Sequence, residues 1–330
     1  MANPAWQVRF LAALAVAVLA VPLAAGAQPP ARTPRIGVLA PDSRAAATAG
    51  IEGFRASLRE LGYVEGRTIA VEFRWADGQE ERLPGLAAEL VALKVDVIVT
   101  AFEPAIRAAR KATTTIPIVM AASLDAVRLG LVDSFARPGG NVTGLSVASE
   151  ILGKQFDLLR ELIPSLSRVV ILVRHNPEAA ARRAQAKTRA QELLGLTLDL
   201  VEVREPADFA RAFATASASR PDAMIVAPEP LFFVHRDQIV DLARTARLPV
   251  IYPVRDFVEG GGLVSFSPSV VEMFRRSAYF VDRILKGAQP ADLPVEQPTK
   301  FDLVINLKTA KALNLTIPRT VLIQADKVIR

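Results

Sequence analysis

The feature that most constrains this chain is an internal repeat. Short apolar segments alternating with amphipathic ones fill residues 35 to 121, and the same order recurs from Arg168 with matching residues at matching places. Leu61-Gly62 and Leu194-Gly195 each close a helical pattern, and Val71-Glu72-Phe73-Arg74 and Val201-Glu202-Val203-Arg204 end the strands that follow. Glu103-Pro104 and Glu229-Pro230 stand seven residues after Asp96 and Asp222, and each leads through a helix to Ile116-Pro117 or Leu248-Pro249. These correspondences, all in one order, predict two copies of one α/β unit.

Within the first copy, strands are expected at 35–40, 68–74, 95–100 and 116–121, with helices at 47–61, 80–93 and 103–112. Most of these strands are apolar throughout, which suits a parallel sheet covered on both faces. The expected fold is therefore two Rossmann-like, doubly wound parallel-sheet lobes. After the second copy, Gly260-Gly261-Gly262 opens a strand at 263–267 and a long helix at 269–286, both expected to return to the first lobe. The connector Pro290 to Pro298 and a strand at 301–307 then lead back to the second. The lobes become 33–146 with 262–297, and 147–261 with 298–330, joined by a three-segment hinge at about 144–149, 258–262 and 295–300.

The N-terminus reads as an address. Arg9 is followed by an uncharged run from Phe10 to Ala25, and Ala25-Gly26-Ala27 offers small residues before Gln28-Pro29-Pro30. Residues 1–27 are expected to be a cleavable signal peptide that directs the remainder to the periplasm, with an uncleaved anchor as the alternative. The chain has no cysteine, which excludes a lipidated cysteine at the cleavage site and a structural disulfide. A net charge of +6 is spread among interspersed acidic residues, without a basic arm or patch, so no nucleic-acid partner is expected. The protein is expected to act as a monomer.

In doubly wound sheets, ligands bind at the carboxyl ends of the strands. Applied to both copies, that rule selects Asp42, Ser43, Phe102 and Asp125 from the first, and Asn176, Glu229, Phe232, Tyr252 and Asp256 from the second. Phe102, Phe232 and Tyr252 could stack on a planar or apolar ligand. Asp125 or Glu229 could meet an ammonium, and Ser43 with backbone N–H groups a carboxylate. The competing readings are turn or helix-cap roles for Asp42, Ser43, Asn176 and Pro177, dipole-facing carboxylates for Glu103 and Glu229, surface ion pairs for Asp125 and Arg255, and loop packing for the rings. Two histidines and no cysteine are too few for a His-based zinc site, the Gly-x-Ser-x-Gly turn is absent, and Arg137-Pro138-Gly139-Gly140-Asn141 lacks a phosphate-binding pattern. No catalytic residue and no cofactor are expected.

Several motifs resemble a known family. Leu61-Gly62-Tyr63-Val64-Glu65-Gly66, Arg137 to Gly144, Leu285-Lys286-Gly287, Leu293 to Pro298 and Val304 to Ala310 are similar to ABC transporter substrate-binding proteins that include tryptophan and aromatic amino-acid binders. The resemblance runs from about residue 35 to the C-terminus. It implies a type I periplasmic binding protein with three hinge strands, which closes on a small solute and delivers it to an inner-membrane ABC permease. A periplasmic ligand-sensing subunit for a membrane receptor is the alternative. Members often carry Asp-Pro after the last first-lobe strand, where this chain has Ala122-Ser123-Leu124-Asp125-Ala126, and Ser-Asp-Pro-Leu-Phe where it has Ala227-Pro228-Glu229-Pro230-Leu231-Phe232. Both departures fall at the cleft, so the ligand is not carried over.

Overall fold

In the computed structural model, residues 32–147 and 151–330 are described. The chain divides into a leading segment, Met1–Thr33, and a body, Pro34–Arg330. The expected signal peptide falls outside the described residues. Among the described residues, no helix is long and apolar enough to cross a membrane.

The first sheet is parallel and has the order β2-β1-β3-β4-β5, formed by Arg35–Ala40 (β1), Ala70–Trp75 (β2), Val97–Ala101 (β3), Ile118–Ala122 (β4) and Val142–Gly144 (β5). Alternation along each strand sends side chains to two faces. Ile36, Val38, Val97, Val99 and Val119 pack with Ile51, Phe54 and Leu58 of α1 (Arg44–Glu60). Leu39, Ile98, Ile118 and Met120 pack on the other side with α2 (Leu83–Ala92) and α3 (Glu103–Ala112). Gly144 ends β5 at φ 126, and a Cβ there would stand 2.2 Å from the Met120 carbonyl oxygen, so only glycine fits.

The second sheet repeats the pattern and extends it. Its order is β12-β11-β10-β9-β8-β6-β7, from Arg168–Arg174 (β6), Thr197–Val203 (β7), Ala223–Val226 (β8), Val250–Tyr252 (β9), Val264–Pro268 (β10), Phe301–Asn306 (β11) and Lys327–Ile329 (β12). Only the β10–β11 pairing is antiparallel. The two copies are pinned by the same device. The Asp96 carboxylate accepts the Arg35 amide at 2.6 Å, and the Asp222 carboxylate accepts those of Ser167 and Arg168 at 2.8 and 2.9 Å. Each aspartate precedes the third strand of its copy and ties it to the first. Around this sheet lie α4 (Ile151–Leu162), α5 (Pro177–Leu194), α6 (Phe209–Ala218), α7 (Pro230–Val234), α8 (Arg236–Thr245), α9 (Arg255–Glu259), α11 (Leu307–Ala312) and α12 (Arg319–Gln324); α10 is Val270–Leu285.

One expectation is corrected here. The strand at 264–268 stays in the second sheet, between β9 and β11, because it is the fifth strand of the second copy and stands where β5 stands in the first. The chain crosses after Pro268, not at 258–262, and it is α10, with the connector through Leu293 and Val295, that returns to the first lobe. There Phe274, Ala278, Phe280, Val281 and Ile284 join the core beneath α1. Gly50 and Gly53 of α1 make room, since a Cβ on either would come within 3.0–3.1 Å of Phe274 or Val271. The exchange is reciprocal: α4 follows β5, yet its Phe156, Leu159 and Leu162 fill the second lobe's core.

The crossings are stitched to one another. Ser146 donates its amide to the Glu296 carbonyl, and Glu296 donates to that of Gly144, both at 2.9 Å. Arg276 grips the Glu296 carboxylate with two bonds of 2.7 Å.

Candidate functional site

The first sheet reverses its order between β1 and β3, and the chains leaving those two strands carry Asp42 and Phe102. Asp42 is only 8% exposed, and no hydrogen bond reaches its Oδ1. Removal from water disfavours the charged form and pushes its carboxyl up to about 7. The adjacent Ser43 accepts the Ala46 amide at 3.3 Å and caps α1. Phe102 takes φ 65 and ψ 150, a conformation close to exclusive to glycine. Its amide donates to the Ala122 carbonyl at 2.8 Å, and its own carbonyl receives the Ile106 amide at 3.1 Å, so the strained turn is clamped between β4 and α3.

That turn aims the Phe102 ring at the other lobe, where Phe233 of α7 meets it with centroids 5.3 Å apart. Arg174, at the end of β6, donates to the Gly78 carbonyl at 3.2 Å and pairs with Glu80 at 3.3 Å, adding a polar contact between the lobes. Behind the rings lies a cleft of about 1100 Å³, bordered by Ser123 and Asp125 from the first lobe and Pro228, Phe233, Pro253 and Val254 from the second. It continues under α5 against apolar side chains such as Phe156, Ile171, Leu198 and Leu200. Ser123 is 3% exposed, and its hydroxyl has no partner. A smaller recess of about 80 Å³ shares Phe102, Phe233, Val254 and Pro268 with the cleft and adds Asp42, Phe274 and Asp256.

The structure brings Asp42, Phe102, Asp125 and Asp256 together on this lining. Asp125 is tied to Arg128 at 2.7 Å, which leaves it partly neutralised. Asn176 and Glu229 stand after β6 and β8 but outside the lining, and both have partners within the chain. Phe232 and Tyr252 correct the expectation, for they belong to the second lobe's core. Phe232 is fully buried, edge-on to Phe209 at 5.6 Å. Tyr252 is 2% exposed, stacked on Phe257 at 5.1 Å, and burial pushes its phenol well above the usual range. It shares a sheet face with Val250, two residues earlier, and that face is covered.

Sequence reasoning missed Phe233, Arg236 and the α10 residues Val270, Met273 and Phe274, and it placed the loop of Ser123 at the cleft without selecting that residue. Ser123 lay in a loop already singled out, and its small polar side chain beside a strand end was the available signal. Phe233 follows Phe232 on a short helix, and nothing in the pair tells which ring faces out. The two histidines lie on separate elements: His175 contacts Glu202 through Nδ1 at 2.5 Å, and His235 rests against Phe209, with burial holding its imidazole below the usual range. Among the described residues, no group of three or more metal-binding side chains assembles.

The family model described as ABC transporter substrate binding protein matches residues 35–329. The chain belongs to the ABC transporter substrate-binding protein family. The activity of this substrate-binding protein family is capture of a substrate, not its turnover. Its two parallel-sheet lobes are those of type I periplasmic binding proteins. A tyrosine-binding protein from Clostridioides difficile is 25% identical over 266 residues, covering 80% of this substrate-binding protein and 76% of the relative. An ABC domain in complex with L-Trp from Streptococcus pneumoniae is 28% identical and superposes with a TM-score of 0.82, covering 90% of this chain and all of that one. A conserved domain protein from Vibrio cholerae matches with the same identity, coverage and TM-score.

Proposed function

We propose that this substrate-binding protein is the periplasmic receptor of an ABC importer and closes its lobes on an amino acid or a small aromatic carboxylate. The observation that carries this reading is the pair of rings, Phe102 and Phe233, which meet from opposite lobes over a cleft whose Asp42 and Ser123 keep unpartnered buried oxygens. Rings facing a mostly apolar hollow suit a planar or apolar side chain, while a few fixed polar atoms orient its charged end. The tyrosine-binding relative and the L-Trp complex support that choice of solute. Movement about the stitched crossings would open the gap between Phe102 and Phe233, and reclosure would exclude water and strengthen the polar contacts. An apolar run ending in Ala25-Gly26-Ala27 supports export to the periplasm, where such a receptor meets its inner-membrane permease.

A thermal-shift screen of the exported protein against amino acids, aromatic acids and sugars tests this reading. A true ligand at a hundredfold excess over its Kd should add about 2.7 kcal/mol of stability. Stabilisation by sugars alone would overturn the assignment of solute class. Deletion of the cognate permease should abolish uptake of the same compound.

A further inference from the structure

We propose that Asp42 is the counter-ion for a cationic nitrogen of the solute, seated in the recess that Asp42 forms with the rings of Phe102, Phe233 and Phe274. The inference rests on the reading of the cleft as the solute site and specifies the chemistry of one end of it. A carboxylate buried to this depth without a hydrogen bond at Oδ1 is costly, and a native structure retains such a group where a partner arrives from outside. The recess holds only a few heavy atoms, at about 80 Å³, which suits an ammonium and its first carbon, while the adjoining cleft of about 1100 Å³ takes the body of the molecule. Aromatic rings beside a carboxylate add to the attraction for a cation.

The other charged groups on the recess nearly cancel. Arg236 of α8 and Arg255 of α9 face it with Asp256 of α9 and Asp302 of β11. Arg236 is already engaged, at 3.8 Å from Asp237 and 3.4 Å from the Phe233 carbonyl. Asp42 is the lining charge whose oxygen is both buried and without a hydrogen bond. With its empty-state carboxyl at about 7, a cation must displace a proton at mildly acidic pH, so binding and deprotonation are linked.

The experiment is isothermal titration calorimetry of the protein and of Asp42→Asn, using L-tryptophan, L-tyrosine, tryptamine and tyramine as amine-bearing probes. Indole-3-propionate and 3-(4-hydroxyphenyl)propionate serve as their counterparts without the nitrogen. Asp42→Asn should weaken the amine-bearing probe that binds best by at least roughly thirtyfold and leave its counterpart within about threefold. Wild-type affinity for that probe should fall about tenfold per pH unit below pH 7, whereas the variant should show no such slope. Equal loss for both members of a pair, or no loss for either, overturns the role of Asp42 and leaves solute capture standing. Absence of binding by any of the amine-bearing probes overturns it as well, and the wider screen then decides the solute. If tryptamine or tyramine behaves as expected while neither amino acid binds, the role of Asp42 stands and the amino-acid assignment falls.

Discussion

The ring of Phe102 in the first lobe lies 5.3 Å from that of Phe233 in the second, and it is held there by a backbone at φ 65 and ψ 150. Strain and interlobe contact therefore reside in one residue. A side chain in this region costs about 1–3 kcal/mol. Phe102→Gly and Phe102→Ala both delete the ring, but only glycine relieves the backbone. The glycine variant should exceed the alanine variant by about 1–2 kcal/mol in urea denaturation. Both should respond less than wild type to the ligand found by thermal shift.

Asp42 makes a prediction about stability without any ligand. Its folded-state carboxyl sits at about 7, above its ordinary unfolded value, so the native state holds the proton that the unfolded chain releases. The protein then loses stability as pH rises from about 4 to 7. Asp42→Asn removes that loss. At pH 8 the variant should be more stable than wild type by about 2–4 kcal/mol, and the advantage should vanish near pH 4. Paired urea melts at both pH values measure it, and a variant less stable than wild type at pH 8 would mean that Asp42 has a structural partner.

The Arg174 contact with Glu80 and the Gly78 carbonyl joins the lobes without touching either core. Glu80→Gln should leave the melting temperature within about 2 °C, since partly exposed ion pairs add little. If the lobes close on the solute as proposed, ligand dissociation by stopped flow should quicken by about threefold to tenfold, because a contact between the lobes is lost. An unchanged dissociation rate would show that the pair is incidental to closure.

Gly144 tests the crossing. Alanine there combines φ 126 with a 2.2 Å approach to the Met120 carbonyl oxygen, and neither backbone can yield without disturbing β4 or the link to Glu296. Gly144→Ala should cost about 3 kcal/mol or more, whereas Gly140→Ala, which meets nothing within 4 Å, should cost about 1 kcal/mol. Chemical denaturation of the two variants separates these outcomes.

The repeat was legible because its marks serve local physics. Asp96 and Asp222 had to precede their strands to tie back to Arg35 and Arg168, so the sequence retains them in register. The lobe of β10 was not legible: β5 contributes only Val142–Gly144 and shares no residue pattern with Val264–Pro268. Asp42 and Phe102 stand at strand ends and line the recess beside the cleft. The direction of a side chain at those ends was harder to read, since Phe232 and Phe233 are successive residues of one short helix and point about 100° apart around its axis. Tyr252 was in principle readable, because period-two alternation groups it with Val250 on a covered face.

The exchange of α4 and α10 reaches beyond the hinge. Residues up to Gly144, expressed alone, would have a complete sheet but no Phe274, Phe280 or Ile284 to cover the face beside α1. Extended through its own trailing helix, α4, such a half-length chain could close that face with the trailing helix of a second copy, which in turn would take the first one's. The present molecule thus has the connectivity of a helix-swapped homodimer whose two subunits have been fused end to end, and cutting it between the copies should yield fragments that are soluble only when expressed together.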